Sequence, residues 1–163
     1  MEATIRAARA ADRAAIERIN REGQPGVNPM SAEEIDACLA KATLFRVAES
    51  AGEPCGYLLA FGAGFASIGE EYAWFSARHP AFLYVDQIAV ARAAWGQGVA
   101  AALYAELERE ARARGIAHLV CEVNLRPENP RSLAFHRRQG FREAGRLEVS
   151  DGRSVALLER ELG

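Results

Sequence analysis

Cysteine is scarce in this chain: three residues, Cys38, Cys55 and Cys121, with no C-x-x-C spacing among them. An odd number without that spacing supports neither a disulfide framework nor a zinc site, so a reducing, cytoplasmic setting and no metal are expected. The chain also lacks any run approaching the roughly 20 apolar residues a membrane span requires, and it opens without a signal or transit pattern. Charge of one sign is missing too. Lys and Arg number 20 against 22 Asp and Glu, a net charge of −2 with no basic stripe or long like-charge block. That balance argues against nucleic acid or a membrane surface as the main partner. No internal repeat or low-complexity tract interrupts the 163 residues. A chain of this length reads as one domain over 1–163, able to bury about two thirds of its unfolded surface, with small-molecule chemistry as the favoured class and a homodimer left open.

What is present begins with periodicity. Thr4 to Ala8 reads as a strand, and Asp12 to Glu22 as a helix with Ala15, Ile16 and Ile19 on one stripe. Gly23 to Met30 reads as a loop, after which Ser31 and Glu34 form a capping box for a second helix with Ile35, Cys38 and Leu39 inward. Leu44 to Glu49 and Cys55 to Phe61 read as a hairpin turning at Gly52, the second strand carrying Cys55, Tyr57, Leu59 and Phe61 on one face. Phe82 to Val90 is the next strand, with Tyr84, Asp86, Ile88 and Val90 on one side and Leu83, Val85, Gln87 and Ala89 on the other. A long helix then buries Val99, Leu103, Leu107 and Ala111 and stops at Gly115. A strand from Ala117 to Asn124 follows, then a helix capped by Asn129 with Pro130 at its first position. Two closing strands, Phe141 to Val149 and Ser154 to Arg160, are joined through Asp151-Gly152, a hairpin-turn dipeptide.

The chemistry is concentrated between Val85 and Gly115. A β-rich run enters a glycine loop, Gly96-Gln97-Gly98-Val99-Ala100, that opens directly into the long helix. Backbone N–H groups at a helix start have no carbonyl partners, and the helix dipole adds partial positive charge, so the loop is an anion site suited to a diphosphate. The same residues satisfy the G-x-G-x-x-G/A pattern of dinucleotide folds, which makes a nucleotide-binding oxidoreductase one rival reading. Against it, Ala91 to Trp95 separate the strand from the first glycine, and too little chain follows for a doubly wound sheet.

Val90 to Ala100 instead resembles the coenzyme A loop of the GNAT N-acetyltransferase superfamily, V-x-x-x-x-[RQ]-G-x-G-[IVL]-[GA]. Asn129 to Phe141, NPRSLAFHRRQGF, is similar to that family's second signature, N-x-x-[AS]-hydrophobic-x-[LF]-Y-x-x-x-G-F, without a gap. The resemblance covers about residues 82 to 149. It implies an α/β (α+β) GNAT fold, a twisted mixed central sheet of six to seven strands flanked by about four helices, with the fourth and fifth strands splayed. It also implies acetyl-CoA as cosubstrate and transfer of an acetyl group to a primary amine of a small molecule, peptide or protein. In the family the pantetheine arm bonds strand backbone, which here belongs to Ile88, Ala89 and Val90. The diphosphate would lie on Trp95, Gly96, Gln97, Gly98, Val99 and Ala100, and Asn124, Asn129, Ser132, Phe135, His136 and Arg138 would line the rest of the coenzyme.

Two departures stand out. Trp95 occupies the position usually held by Arg or Gln, and its ring is expected to pack on the loop or on the coenzyme instead of donating a hydrogen bond. His136 occupies the position of the family's Tyr, which protonates the thiolate leaving group. Amine acetylation needs a proton removed from an ammonium with a pKa of roughly 10, a donor for the developing oxyanion, and preferably an acid for the thiolate. Asp86 is the first candidate base and Glu122 the second; bulk water remains a third. Either carboxylate could instead be structural or solvated. His136 is the candidate acid or a structural helix residue, with Tyr72, Tyr84 and Tyr104 as substitutes. Asn129 reads as a helix cap and as a coenzyme contact, Arg137 and Arg138 as phosphate contacts or solvated charges, and Cys121 as a small buried hydrophobe. The insertion Gly64 to Ala81 reads as a short helix whose Glu70, Glu71, Tyr72, Trp74 and Phe75 face an acceptor amine, or whose rings complete the core or an oligomer contact. His79 reads as a loop residue. A non-catalytic acyl-CoA sensor of the same fold is the second rival reading.

Overall fold

The computed structural model describes residues 2–163. Its elements run β1 (Thr4–Ala7), α1 (Arg13–Gly23), α2 (Ala32–Lys41), β2 (Leu44–Ser50), β3 (Glu53–Gly62), α3 (Glu70–Arg78), β4 (Leu83–Val90), α4 (Val99–Ala113), β5 (His118–Arg126), α5 (Pro130–Arg138), β6 (Arg142–Glu148) and β7 (Ser154–Glu161). The strands form one mixed seven-stranded sheet in the order β1-β2-β3-β4-β5-β7-β6. Pairing is antiparallel for β1 with β2, β2 with β3, β5 with β7 and β6 with β7. It is parallel for β4 with β5, a ladder of two pairs, Leu83 with Leu119 and Tyr84 with Val120. Five helices stand where about four were expected, because the insertion supplies α3.

Two compact units make up the fold, each drawn from two stretches of chain. The first comprises the residues up to Phe61 together with Asp86–Arg109. Its core holds Ile16 and Ile19 of α1, Ile35 of α2, Val47 of β2, and Leu103 and Leu107 of α4, all at most 1% exposed. The capping box of α2 is formed as its sequence requires: Ser31 accepts from the Glu34 N–H, and Glu34 accepts from the Ser31 N–H. Alternation fails in β3. Residues Cys55 through Gly62 are buried on both faces, so Gly56, Leu58 and Ala60 are core positions alongside Cys55, Tyr57, Leu59 and Phe61. A central strand covered on two sides loses the period-2 signature of a half-exposed one.

The second unit comprises Gly62–Val85 and Glu110–Gly163. Its core is built from Phe75, Phe82, Tyr84, Leu119, Val120 and Leu157. The β6–β7 hairpin turns through Asp151-Gly152, with Gly152 at φ +97° and the Val149 N–H donating to the Arg153 carbonyl. Within this unit α3 is pinned at several points. The Tyr72 hydroxyl donates to the Gly62 carbonyl at 2.7 Å, and Glu70 accepts from the Ser150 N–H. A Cβ at Gly145 would stand 2.7 Å from Trp74 Cζ2, so glycine at that β6 position is what lets the indole lie there. Tyr72 and Phe75 are core residues, which settles that part of the insertion in favour of core completion.

Candidate functional site

The glycine loop belongs to the first unit, and its shape follows from the residues before it. Along β4 the side chains of Gln87 and Ala89 are buried while Asp86, Ile88 and Val90 are half-exposed. Backbone direction alternates as well: the Ala91 N–H donates to the Cys55 carbonyl at 2.8 Å, and the Ala89 carbonyl lies where a Cβ on Gly56 would come within 3.1 Å. Residues 89 and 91 therefore address β3, leaving Ile88 and Val90 to present their polar groups on the other edge. Ala89 does not share that edge with them, a correction to the expected trio.

Beyond Val90, Arg92–Ala94 form a single 3₁₀ turn, which accounts for the spacer before Gly96. The turn is held by the Arg92 N–H donating to Glu22 at 2.9 Å. Trp95 corrects a second expectation, since its indole N–H donates to the Val90 carbonyl at 2.9 Å. The ring is 42% exposed, with the Arg92 guanidinium 5.5 Å from its centre. Gln97 folds back to donate to the Ala93 carbonyl at 3.3 Å. Gly96 and Gly98 both adopt left-handed backbone, at φ +77° and +81°, with open space where a side chain would project. Only glycine holds such angles at no steric cost. The loop therefore delivers the first-turn N–H groups of Val99, Ala100 and Ala101, which have no intrahelical carbonyls, to an exposed surface. Donors of this kind at a helix start suit an anion, and neither glycine carries a side chain that would stand in its way.

Sequence reasoning missed a buried polar network in the same unit. Asn20 of α1 is 1% exposed. Its Nδ2 lies 2.9 Å from the Asn28 carbonyl and 3.1 Å from both Tyr57 Oη and Gln87 Oε1, while its Oδ1 accepts from the Met30 N–H. The Tyr57 hydroxyl donates to Gln87 Oε1 at 2.6 Å, and Gln87 Nε2 donates to the Asn28 carbonyl. These bonds fix the α1–α2 loop to β3 and β4. The signal was an Asn four residues after Ile16 on the buried stripe, where the helix gains nothing from Asn itself. Asp86, next to Gln87, is half-exposed; burial first and its negative charge second push the Cys38 thiol up from its ordinary pKa, and burial pushes the Tyr57 hydroxyl up against the opposing bond with Asn20, with the Asp86 charge adding a smaller push.

The second unit carries the other candidates. Glu122 is half-buried on β5, and its Oε1 accepts from the Tyr84 hydroxyl at 2.8 Å, so it is not a solvated outer-face charge. Asn124, 7% exposed, accepts from Arg153 Nη1 at 3.2 Å. Arg153 also donates to Glu71 at 2.7 Å and to Asp151 at 2.8 Å. Glu71 is thus ion-paired within the unit. Asn129 caps α5 by accepting from the Ser132 N–H at 3.3 Å, and Phe135 is half-buried while Arg137 and Arg138 are exposed.

His136 is 3% exposed, with its ring edge-on to Phe135 and Phe141. Its Nδ1 lies 2.8 Å from the Ser132 carbonyl, which can only accept, so Nδ1 carries the proton and Nε2 is the acceptor nitrogen. Burial lowers its pKa from the ordinary value, and the bond to Ser132 opposes this less strongly. Near neutral pH the imidazole is uncharged. Among the proposed substitutes, Tyr72 and Tyr84 have committed their hydroxyls to Gly62 and Glu122, and Tyr104 is 1% exposed.

The family model of the acetyltransferase (GNAT) family matches residues 13–141. The chain belongs to the GNAT acetyltransferase family. An acetyltransferase of Agrobacterium fabrum is 38% identical over 80 residues, which is 48% of this chain and 56% of that relative. The chain thus matches little more than half the length of that relative. A GNAT phosphinothricin acetyltransferase from Sinorhizobium meliloti, solved in complex with acetyl-CoA, superposes with a TM-score of 0.76 at 26% identity, covering 100% of this chain and 90% of that one. A ribosomal-protein-alanine N-acetyltransferase from Brucella melitensis superposes at 0.75 with 24% identity, covering 98% and 99%. No helix among the described residues is long and apolar enough to cross a membrane.

Proposed function

We propose that this protein is an acetyl-CoA-dependent N-acetyltransferase acting by direct transfer on a primary amine. The observation that carries the reading is the pair of left-handed glycines, 96 and 98, opening α4 with space above both. Bound there, acetyl-CoA supplies an activated acetyl thioester. The N–H groups of Val99, Ala100 and Ala101 hold its diphosphate, Ile88 offers strand backbone to its amide-bearing arm, and Trp95 walls the loop. By resemblance to the family's second signature, Asn129, Ser132, Phe135 and Arg138 are put forward as coenzyme contacts, and Asn124 from the end of β5.

In the transfer, a new C–N bond forms as the C–S bond breaks, and the amine must lose a proton. Asp86 is assigned as the base, because it is a half-exposed carboxylate on the same β4 side as Ile88 and Val90. Glu122 is the reserve, its charge already stabilised by the Tyr84 hydroxyl. His136 holds no proton on Nε2 in its neutral state, so its assignment is structural and the departing thiolate takes its proton from solvent. The acceptor remains a class, primary amines: the phosphinothricin enzyme and the ribosomal-protein enzyme share this fold, and fold does not select between such acceptors.

A non-catalytic acyl-CoA sensor is the second reading, favoured by the committed Nδ1 of His136. Release of free CoA from acetyl-CoA against a broad amine panel separates the two. The transferase predicts amine-dependent release that falls in Asp86→Asn, with acetyl-CoA affinity retained. Retained binding with no release from any amine supports the sensor, and failure to bind acetyl-CoA sinks both.

A further inference from the structure

The end of β5 remote from Asn124 carries a side-chain group that acetyl transfer does not use. His118 opens β5, Glu159 lies in β7, and His79 follows α3 as its C-terminal cap. The β5–β7 register pairs His118 with Glu161 and Val120 with Glu159, so His118 and Glu159 lie diagonally on one face of the sheet. His79 Nε2 is 2.7 Å from Glu159 Oε2, and the His79 and His118 rings stack at 3.9 Å with planes 17° apart. One ligand atom from each of the three residues lies within 4.8 Å of the other two. Glu159 is 4% exposed, and Arg78 donates to its second oxygen, Oε1, at 3.1 Å.

Two observations distinguish this group from an ordinary ion pair. The Nδ1 of His118 is buried and has no hydrogen-bond partner, a state that costs free energy in a neutral imidazole of either tautomer. The Glu159 carboxyl is also buried, with Oε2 against His79 and Oε1 accepting from Arg78. The donor set is therefore two imidazoles and one carboxylate whose other oxygen is already oriented by an arginine.

We infer that His79, His118 and Glu159 form a binding site for a divalent transition-metal ion of the zinc type. Imidazole nitrogens with one carboxylate suit Zn²⁺ and disfavour Mg²⁺ or Ca²⁺, which take oxygen ligands. The ion displaces the proton held between His79 and Glu159 and satisfies a His118 ring nitrogen, and a water completes four-coordination. Two neutral imidazoles and one carboxylate leave the site with a single positive charge. Four residues of strand, about 13 Å, separate His118 from Glu122, so the ion is a staple between the end of α3 and the β5–β7 ladder and takes no part in acetyl transfer. Such a site runs against the expectation of a metal-free protein. That expectation followed cysteine spacing, and the three ligands are spread across 80 residues.

The test is titration of the metal-free full chain with Co²⁺ near neutral pH, followed by visible absorption. The site predicts saturable d–d bands at one ion per chain, abolished by an equivalent of Zn²⁺. It also predicts a Tm rise of roughly 5–10 °C with Zn²⁺ at a hundredfold excess over Kd. His118→Gln and His79→Gln should each lose the bands while keeping the far-UV circular dichroism of the parent. Absence of visible bands in the parent overturns the site, as do bands that survive in His118→Gln. Sulfur-to-cobalt charge transfer in the near ultraviolet overturns it too, because it would place the ion on a cysteine.

Discussion

The N-terminal ends of α4 and α5 meet the same electrostatic problem and answer it with different partners. Each begins with N–H groups that no carbonyl in its own helix can reach. At α5 the answer is internal: Asn129 turns its side-chain oxygen onto the Ser132 N–H, and Pro130 removes one donor from the first turn. At α4 two glycines replace the cap, and the loop leads into the helix exposed from Trp95 through Gly98. Asn129 meets part of that demand from within the chain, whereas the glycine-led start of α4 leaves its first-turn N–H groups facing the external anion we propose. On that reading a stabilising cap stands against an anion cradle, even though both lie in stretches that match signatures of the same family.

The largest expected effect breaks the α4 side. Replacing Gly96 and Gly98 together by Val imposes about 1–2 kcal/mol of left-handed strain at each position, which the exposed loop escapes by changing conformation. Acetyl-CoA affinity, read by calorimetry, should fall on the order of 100-fold. Because nothing lies within 4 Å of either projected Cβ, the fold itself should survive. Unaltered affinity in the double variant would show that the glycines serve the chain and not a ligand.

These glycines were legible because backbone chemistry writes itself into residue type: a left-handed φ needs glycine, and a cap needs a short oxygen-bearing side chain. The same logic made the Ser31–Glu34 box and the Asp151-Gly152 turn readable. Side-chain commitments were not. Nothing in the spacing of Trp95 announces that its N–H reaches the Val90 carbonyl, and nothing in the second signature says that His136 spends Nδ1 on Ser132. The links from Asn20 to Gln87 and from Arg153 to Asn124 and Glu71 join residues 29 to 82 positions apart, distances over which sequence pattern carries no signal.

On the α5 side, Asn129→Ala removes the cap and should cost about 1 kcal/mol, a Tm decrease of roughly 2–4 °C in thermal unfolding. If the cap is its whole role, acetyl-CoA affinity stays at the parent value. A fall of tenfold or more would make Asn129 a coenzyme ligand as well and blur the contrast between the two helices. Trp95→Phe tests the loop with a smaller change. It keeps the ring but deletes the bond to Val90, so a stability loss of about 1 kcal/mol or less is expected, with coenzyme affinity changed by only a few fold.

The smallest effect near neutrality belongs to His136 and works through protons. Burial depresses its folded-state pKa below that of the unfolded chain, about 6.5, so between those values the unfolded chain binds the proton that the folded chain refuses. Stability is then insensitive to this residue above the unfolded value and declines as pH falls below it, until the folded pKa is reached. Thermal unfolding from pH 7.5 down to about pH 5 should show a downward slope that is shallower in His136→Gln, where the amide can still donate to the Ser132 carbonyl but has no proton to gain. An equal slope in the two proteins would mean that the folded pKa is not depressed and that His136 takes up its proton over the same pH range as in the unfolded chain. A protonated imidazole in the last turn of α5 would then be within reach at mildly acidic pH, and the case for a leaving-group acid there would reopen.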